Sequence, residues 1–284
     1  MRTRGFVGAV GIALGAVLAA GALSAPAQAA AGGPLGCTGV VAVDGGYRLR
    51  TDTTCNIYWS EDHVVLDLAG HTMTGTVVAD GHGQVIRNGT LRTDALDLAF
   101  SRGAVLRDLA VESFSMADGF AVEAGSDLVV ERSSFSGFSG IALDFYFGVG
   151  GSVTDSVFAG NVIAVSVQGV SGARVSGNRF VGNDVGVNLW NEDAPNREVR
   201  IDHNTFSGSR RAAINVRGDL GVNDDGRAYD AVTIENNVAG ANPGVGLNLS
   251  VECAYAEVCA AVPDVLGSLT VHRNSLSRGG QDGM

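Results

Sequence analysis

A six-residue motif recurs along most of the chain and constrains the fold more than any other feature. It reads apolar, any, any, Asn or Ser, any, and then Phe or another apolar residue, as in Val175-Ser176-Gly177-Asn178-Arg179-Phe180. About nine copies are present, and their fourth positions lie 19 to 37 residues apart. Most of these spacings are near 22 residues, which is what one turn of a three-sided coil of short strands needs. The motif therefore predicts an all-β solenoid of about nine stacked coils.

The fourth position of the motif is usually an amide or a hydroxyl residue. The series along the chain is Ala69, Asn88, Asp108, Ser133, Ser156, Asn178, Asn204, Asn237 and Asn274. Because coils stack at roughly 4.8 Å, equivalent side chains lie directly above one another. We therefore expect an internal amide ladder at one corner, formed by Asn178, Asn204, Asn237 and Asn274. Beside it we expect a stack of aromatic rings, formed by Phe135, Phe158, Phe180 and Phe206.

A second motif, Gly-apolar-any-apolar, follows the first in most copies, as in Gly186-Val187-Asn188-Leu189. In a strand the two apolar residues face inward and the middle residue faces solvent. Stacking then predicts outward columns of side chains. The first column holds Ala142, Ser166, Asn188, Asn215 and Asn248, and the second holds Asp144, Gln168, Trp190, Arg217 and Ser250. A third column, at the start of the loops, holds Tyr146, Glu192, Asp219 and Glu252.

The N-terminus has the layout of a secretory signal peptide. Arg2 and Arg4 precede an apolar stretch from Phe6 to Leu23, and Ala27-Gln28-Ala29 forms a small-residue cleavage site. We interpret residues 1–29 as a signal peptide, 30–62 as an N-terminal cap with the first strands, and 63–284 as the repeats. The protein is then expected to be secreted, with no membrane span in the processed chain.

Four cysteines fit an oxidising compartment, and three pairings are formally possible. We favour Cys37 with Cys55 and Cys253 with Cys259, because each pair is local in the sequence. A four-thiolate metal site is the alternative, but the spacing contains no C-x-x-C element.

One stretch resembles a known family. Val65-Leu66-Asp67-Leu68-Ala69-Gly70-His71-Thr72-Met73-Thr74-Gly75, followed by Ile86-Arg87-Asn88-Gly89-Thr90, is similar to the opening of bacterial right-handed parallel β-helix repeat proteins of the pectate-lyase-like superfamily. The resemblance covers roughly residues 37–284 and implies a right-handed parallel β-helix. That superfamily includes polysaccharide lyases, glycoside hydrolases, uronan epimerases and members without known chemistry, so the resemblance implies the fold rather than one reaction.

Three long segments after the second motif are expected to wall a groove along one side of the solenoid. They are Asn191 to Arg197, Gly218 to Tyr229 and Val251 to Pro263. An aromatic ring beside amides and an Arg is suited to a sugar polymer. The candidate substrate-binding residues are Asp144, Gln168, Trp190, Asn188, Asn215 and Asn248.

The candidate catalytic residues are Arg217, Asp219, Glu192 and Glu252. Carboxylates on neighbouring coils lie roughly 5 Å apart, near the separation of retaining glycosidases, and those on alternate coils roughly 9.5 Å apart, near that of inverting ones. In a lyase, Arg217 would instead neutralise a uronate or act as base, and Asp219 with Glu192 would hold a cation.

Composition and missing motifs exclude several classes. Without residues 1–29 the chain has 17 basic against 30 acidic residues, a net charge of −13, which disfavours nucleic-acid binding. Nucleotide-binding loops and the serine-hydrolase elbow are absent from the sequence. Asn223-Asp224-Asp225-Gly226 resembles part of a calcium loop, so calcium is a candidate cofactor. We expect a monomer that binds an extracellular polysaccharide and is a candidate to cleave it, the alternative being a noncatalytic wall-associated or adhesive solenoid.

Overall fold

A computed structural model describes residues 34–114, 122–191, 194–220, 228–253 and 267–276. Within these ranges the regular structure consists of thirty short strands and one 3-10 turn at Pro34–Gly36. Pairs of apolar residues separated by one polar residue and bounded by glycines favour such strands over helices.

In chain order the first strands are β1 (Val40–Val43), β2 (Gly46–Leu49), β3 (Thr53–Thr54), β4 (Ile57–Trp59), β5 (Val65–Asp67), β6 (Thr72–Thr74), β7 (Val77–Ala79), β8 (Val85–Arg92), β9 (Leu96–Arg102) and β10 (Val105–Glu112). Next come β11 (Val122–Ser126), β12 (Val129–Glu131), β13 (Ser134–Ser136), β14 (Ile141–Tyr146), β15 (Ser152–Thr154), β16 (Val157–Ala159), β17 (Ile163–Gln168), β18 (Arg174–Ser176), β19 (Arg179–Val181) and β20 (Val185–Trp190). The last are β21 (Asn196–Arg197), β22 (Arg200–Asp202), β23 (Thr205–Ser207), β24 (Ala212–Leu220), β25 (Tyr229–Asp230), β26 (Val232–Glu235), β27 (Val238–Gly240), β28 (Val245–Cys253), β29 (Leu269–His272) and β30 (Ser275–Leu276).

The strands form a parallel β-helix. One side is a nine-stranded sheet in the order β4-β7-β9-β11-β14-β17-β20-β24-β28, with one strand from each coil, and we number coils 1 to 9 by these strands. The seven interior strands have a neighbour on each side. A 19-stranded sheet covers the other two sides, and β21 with β25 forms a small separate sheet. The predicted solenoid fold is confirmed.

The predicted amide ladder is present at a buried corner. Each rung bonds to the next coil: the backbone N–H and Nδ2 of Asn178 both donate to Oδ1 of Asn204, at 2.9 and 3.1 Å. Asn204 donates in the same way to Asn237, and Asn237 to Asn274. The second Nδ2 hydrogen of Asn204 reaches the carbonyl of Val175 at 2.9 Å. The ladder thus satisfies backbone groups that the corner would otherwise leave unpaired.

The predicted aromatic stack is also present in the core. The rings of Phe135, Phe158, Phe180 and Phe206 lie 4.9, 5.2 and 4.6 Å apart and nearly parallel. The glycine of the second motif faces this stack, because a Cβ on Gly186 would come within 2.6 Å of the Phe206 ring. Ala142, Ala164 and Ala213 occupy the same position in other coils and are fully buried. A small residue is therefore needed wherever a ring is stacked opposite.

The predicted fourth position was wrong in the early coils. Strand register aligns Ile86 and Leu106 with Val130, so the fourth positions are Gly89 and Leu109. Asn88 and Asp108 occupy the third position instead and have φ values of 61° and 53°. Asn and Asp adopt this left-handed conformation more readily than other residues. An Asn or Asp in the motif therefore lies either at a left-handed turn or in the buried ladder. Ala69 lies at such a turn as well, with a φ of 52°.

The N-terminal end is held by a disulfide bond. Cys37 and Cys55 are bonded, with Cα atoms 5.6 Å apart, as predicted. Parallel stacking begins where Gly46 pairs with Val65, inside the segment interpreted as cap and first strands. The second predicted disulfide stays a prediction, because Cys259 lies outside the described residues.

Candidate functional site

The outer face of the nine-stranded sheet carries two columns of polar and aromatic side chains. Register pairing from coil to coil defines them. The first column holds Asp97, Glu123, Asp144, Ser166, Asn188, Asn215 and Asn248. The second column holds Tyr146, Gln168, Trp190, Arg217 and Ser250. All of the predicted members from coil 6 onward fall in the expected columns.

The predicted register was wrong at coil 5. Asp144 pairs with Ser166, and Tyr146 pairs with Gln168, so Ala142 does not belong to the first column and Tyr146 does not belong to the third. Ile141-Ala142-Leu143 and Leu143-Asp144-Phe145 both read apolar, any, apolar, so either alignment satisfies the second motif. Periodicity therefore could not detect the error.

A cavity of about 290 Å³ opens at coils 5 to 8 of this face. Part of its lining is apolar, formed by Ile141, Val162, Ile163 and Val185. The polar wall is formed by Ser166, Gln168, Asn188, Trp190, Asn215 and Arg217, and the exposed Arg211 completes the lining. Two arginines and no acidic side chain line the cavity among the described residues, although the chain as a whole carries a net charge of −11. The cavity thus favours an anionic ligand.

Trp190 and Arg217 form the centre of the polar wall. The guanidinium of Arg217 lies over the Trp190 ring, 4.8 Å from its centre, in the geometry of a cation–π pair. The indole Nε1 is buried and has no hydrogen-bond partner within the described part of the chain.

Two buried side chains fix the backbone of this pair. Asn196 donates from Nδ2 to the carbonyl of Trp190 at 2.9 Å. The hydroxyl of Tyr229 shares its one hydrogen between the carbonyls of Arg217 and Leu189, at 2.6 and 3.1 Å, and burial raises the pKa of this hydroxyl. Both side chains come from the small β21–β25 sheet. The segments that follow the long strands therefore support the cavity wall.

An amide ladder runs through the first column. Nδ2 of Asn215 donates to Oδ1 of Asn188 at 2.7 Å, and Nδ2 of Asn248 donates to Oδ1 of Asn215 at 2.7 Å. Asn188 and Asn215 are half-buried and line the cavity, whereas Asn248 is exposed and continues the ladder beyond it. An amide carries two N–H donors and two acceptor lone pairs. Within the ladder Asn215 uses one donor and one acceptor position and Asn188 uses one acceptor position, which leaves the others available to a ligand.

Asp144 occupies a different environment from the one predicted. It is only 1% exposed and lies beside the cavity rather than in its lining. Nε2 of Gln168, which is 4% exposed and lines the cavity, donates to both carboxylate oxygens of Asp144, at 3.0 and 3.2 Å. Burial raises the pKa of Asp144 to about 6, although hydrogen bonds from Gln168 and Ser166 oppose the shift. Asp144 therefore positions Gln168 and is not itself a ligand contact.

Comparison with known proteins agrees with this architecture. The family model described as right handed beta helix region matches residues 41–206 and 113–262. The chain belongs to this family. No curated protein sequence matches the chain.

Solved structures similar to this β-helix protein are distant. They include a mutant of the periplasmic alginate epimerase AlgG, with 10% identity over 83% of this chain and 79% of that chain and a TM-score of 0.43. They also include a mannuronic acid specific polysaccharide family 6 lyase from human gut microbiota, with 10% identity over 80% and 76% and a TM-score of 0.35.

Two members of the first column of this β-helix protein were not predicted. Asp97 and Glu123 precede Asp144 on the same face, in coils 3 and 4. Burial and the neighbouring charge of Asp97 raise the pKa of Glu123. A signal was present in the sequence, because each acid stands between two apolar residues of a strand, as in Leu96-Asp97-Leu98 and Leu143-Asp144-Phe145.

The candidate catalytic carboxylates are only partly described. Asp219 pairs with Glu252 in the register of β24 and β28, two residues after Arg217 and Ser250. Gly218 to Leu220 therefore continue a strand, whereas the sequence had placed the start of the loop at Gly218. Glu192 lies outside the described residues, as do most of the second and third long segments. The catalytic roles of Arg217, Asp219, Glu192 and Glu252 stay predictions.

The other candidate sites are a metal centre and a groove at the N-terminal end of the solenoid. No group of three or more His, Cys, Asp or Glu residues within the described ranges is arranged to hold a metal ion, and the acidic turn Asn223–Gly226 lies outside those ranges. An open groove of about 510 Å³ at coils 1 to 4 is lined mainly by threonines. Its Arg92 faces Glu112 at 3.6 Å and no aromatic ring lines it among the described residues, so it lacks the features of the first cavity. No helix in the described part of the chain is long and apolar enough to cross a membrane.

Proposed function

We propose that this protein is secreted and binds an extracellular polysaccharide carrying acidic sugars in the cavity between Trp190 and Asn215. The observation that carries the proposal is the stacked Trp190–Arg217 pair in a cavity of about 290 Å³ whose lining also includes apolar side chains. An aromatic face binds the apolar face of a sugar ring, and a guanidinium binds a carboxylate with two parallel hydrogen bonds. The amide ladder adds donors and acceptors for hydroxyl groups. These groups together suit a sugar acid better than a neutral metabolite.

The electrostatics of the chain support the same class of ligand. A polyanion would be repelled by most of a surface with a net charge of −11. The charged residues in the cavity lining are Arg217 and Arg211. Arg211 forms only a long ion pair with Asp184, at 3.9 Å. Binding of an acidic chain is therefore confined to this part of the face.

Intrinsic fluorescence provides a direct binding test, because the chain has two tryptophans and the other, Trp59, is buried in coil 1. Titration with a panel of acidic and neutral polysaccharides should change the Trp190 emission for acidic members only. Arg217→Ala should weaken that binding about 10- to 100-fold, the loss expected for a charge-assisted hydrogen bond. Arg179→Ala, an exposed arginine on the 19-stranded sheet, is the matched control and should bind as the wild type does.

A second candidate function is cleavage of the bound polymer. It is favoured by the backbone register pairing of Asp219 with Glu252, since residues paired on neighbouring coils are roughly 4.8 Å apart, close to the roughly 5 Å separation of the acids in retaining glycosidases. Unsaturated product absorbing in the ultraviolet would identify a lyase, and new reducing ends alone a hydrolase. Each assay is run with and without calcium, the candidate cofactor. If the polymer binds but neither ultraviolet absorbance nor new reducing ends develop, and if Asp219→Asn binds it with unchanged affinity, the protein is a noncatalytic solenoid.

A further inference from the structure

The charge of the outer face changes sign along the helix axis. In the first column, coils 3 to 5 contribute Asp97, Glu123 and Asp144 in direct register. Coils 7 to 9 contribute amides, and the arginines of the cavity lie beside them. Ser166 and Gln168 of coil 6 separate the two halves. One ligand lying along this face would therefore meet an acidic half and a cationic half.

The acidic half discriminates against anions. Its carboxyl groups come from neighbouring coils, roughly 4.8 Å apart. Burial and the neighbouring acid raise the pKa of Glu123, and burial raises that of Asp144 with a further contribution from Glu123. Like charges at this distance already oppose one another, so a ligand carboxylate placed beside them would add to the repulsion. An uncharged sugar would not.

An aromatic platform lies on the acidic half. Tyr146 pairs with Gln168, which pairs with Trp190, so the Tyr146 and Trp190 side chains are two coils apart, roughly 9.6 Å. The rings of Tyr146 and Phe147 are 39% and 42% exposed and pack edge to face, with centres 4.3 Å apart. This is the arrangement expected of a second surface for a sugar ring.

Phe147 directly follows β14 at a turn of the coil. It has a φ of 48°, a left-handed conformation that fourteen other non-glycine residues in the described ranges also adopt. Its ring lies against Gly169, where an added Cβ would approach it to 3.0 Å. The turn therefore places the Phe147 ring beside that of Tyr146, which is in register with the cavity residue Gln168.

We propose that the polysaccharide lies along the helix axis, with an acidic sugar on Trp190–Arg217 and an uncharged sugar on Tyr146–Phe147. The ligand is then a heteropolysaccharide in which acidic and uncharged sugars are interspersed. This inference rests on the proposed function and narrows its substrate class. A uniformly acidic chain would place a carboxylate near Glu123 and Asp144 and would bind less tightly.

Three hexasaccharides test the inference by calorimetry at pH 7.5 and about 0.15 M salt, where surface charges are screened beyond about 8 Å. They are one of uronate residues only, one of neutral residues only, and one in which pairs of uronates alternate with pairs of neutral residues. Each sugar spans about one coil, so the two aromatic surfaces contact sugars that are two residues apart, and these differ in charge only when the alternation is in pairs. The alternating ligand should bind about tenfold tighter than either of the others, which corresponds to one additional aromatic contact or one avoided repulsion.

Two variants separate the contributions. Tyr146→Ala should weaken the alternating ligand about tenfold and change the uniformly acidic ligand less than twofold. Glu123→Gln should strengthen the uniformly acidic ligand severalfold and leave the neutral one unchanged. Tyr58→Ala is the matched control, since Tyr58 is 63% exposed on the same sheet in coil 1, and it should bind all three ligands as the wild type does.

The outcomes distinguish this inference from the proposed function. Equal affinity for the alternating and uniformly acidic ligands, unchanged by Tyr146→Ala and Glu123→Gln, overturns the inference. If Arg217→Ala still weakens that binding about 10- to 100-fold, the proposed function stands. Failure of all three ligands to bind, with unchanged Trp190 fluorescence across the panel, overturns both.

Discussion

Two amide ladders in the described part of the chain, the buried one through Asn204 and the outer one through Asn215, differ in how fully their hydrogen bonds are used. In the buried ladder, Asn204 donates both Nδ2 hydrogens and accepts two bonds at Oδ1. In the outer ladder, Asn215 donates one bond and accepts one within the ladder, both at 2.7 Å. The buried side chain is completely satisfied by the protein, and the outer side chain is half satisfied.

This difference separates structure from recognition. A buried amide must find all of its partners inside the protein, because an unpaired polar group in the core is costly. A half-exposed amide can leave positions to water, and water can be exchanged for a ligand hydroxyl. Stacked asparagines on a β-helix are therefore not by themselves evidence of a binding site. Unused hydrogen-bond donors and acceptors on such asparagines are evidence of one.

The buried ladder should show the largest effect on stability. Asn204→Ala removes the partners of the Asn178 backbone N–H, of the Asn178 amide and of the Val175 carbonyl. Three buried groups left unpaired should lower the free energy of unfolding by about 3 to 5 kcal/mol. Denaturant unfolding followed by circular dichroism measures this. A loss below about 1 kcal/mol would mean that water replaces the ladder, and the distinction between the two ladders would lose its basis.

The sequence predicted the buried ladder better than the outer columns. Asn178, Asn204, Asn237 and Asn274 recur beside stacked apolar residues, so one motif fixes their register. On the outer face, no core contact distinguishes Asp144 from Tyr146. The predicted alignment through Ile141 and Leu143 and the observed alignment through Leu143 and Phe145 both put an apolar pair at the inward positions of the motif. The two-residue error at coil 5 arose there.

The cavity depended on contacts that no short motif encodes. Tyr229 lies 39 residues after Trp190 in the sequence, and its hydroxyl fixes the backbone of both Leu189 and Arg217. The acidic half was missed because the second motif was aligned on its glycine rather than on its apolar pair. The composition and alternation of a strand give its faces, but long-range pairing decides which coils share a site.

The outer column also contains a buried carboxyl group, that of Asp144, whereas the buried ladder consists of neutral amides. The stability of the protein should therefore depend on pH through Asp144. The pKa of Asp144 is about 6 in the folded protein, against an ordinary value of 3.8. The folded state therefore binds more protons between these values, and the contribution of Asp144 to stability is fully present below about pH 4 and is lost as pH rises through 6. The shift corresponds to about 3 kcal/mol.

Asp144→Asn should remove this dependence while keeping an acceptor for Gln168. The variant should exceed the wild type in free energy of unfolding by up to about 3 kcal/mol at pH 7.5 and by little at pH 4. Urea unfolding of both proteins at the two pH values measures the difference, and acids common to both cancel. An equal gain at both pH values would show that the carboxyl is not the titrating group.

The smallest expected effect on stability, and the sharpest test of the comparison, is Asn215→Ala in the outer ladder. The side chains of Asn188 and Asn248 lose one partner each, but both can bond to water, so the free energy of unfolding should fall by less than about 1 kcal/mol. Affinity for an acidic polysaccharide should fall about 3- to 10-fold, because the ligand loses one or two neutral hydrogen bonds. Unfolding and fluorescence titration on the same preparation give both quantities. A stability loss as large as that of Asn204→Ala, with unchanged affinity, would show that the outer ladder is structural as well, and that the unused hydrogen-bonding positions do not mark a binding surface.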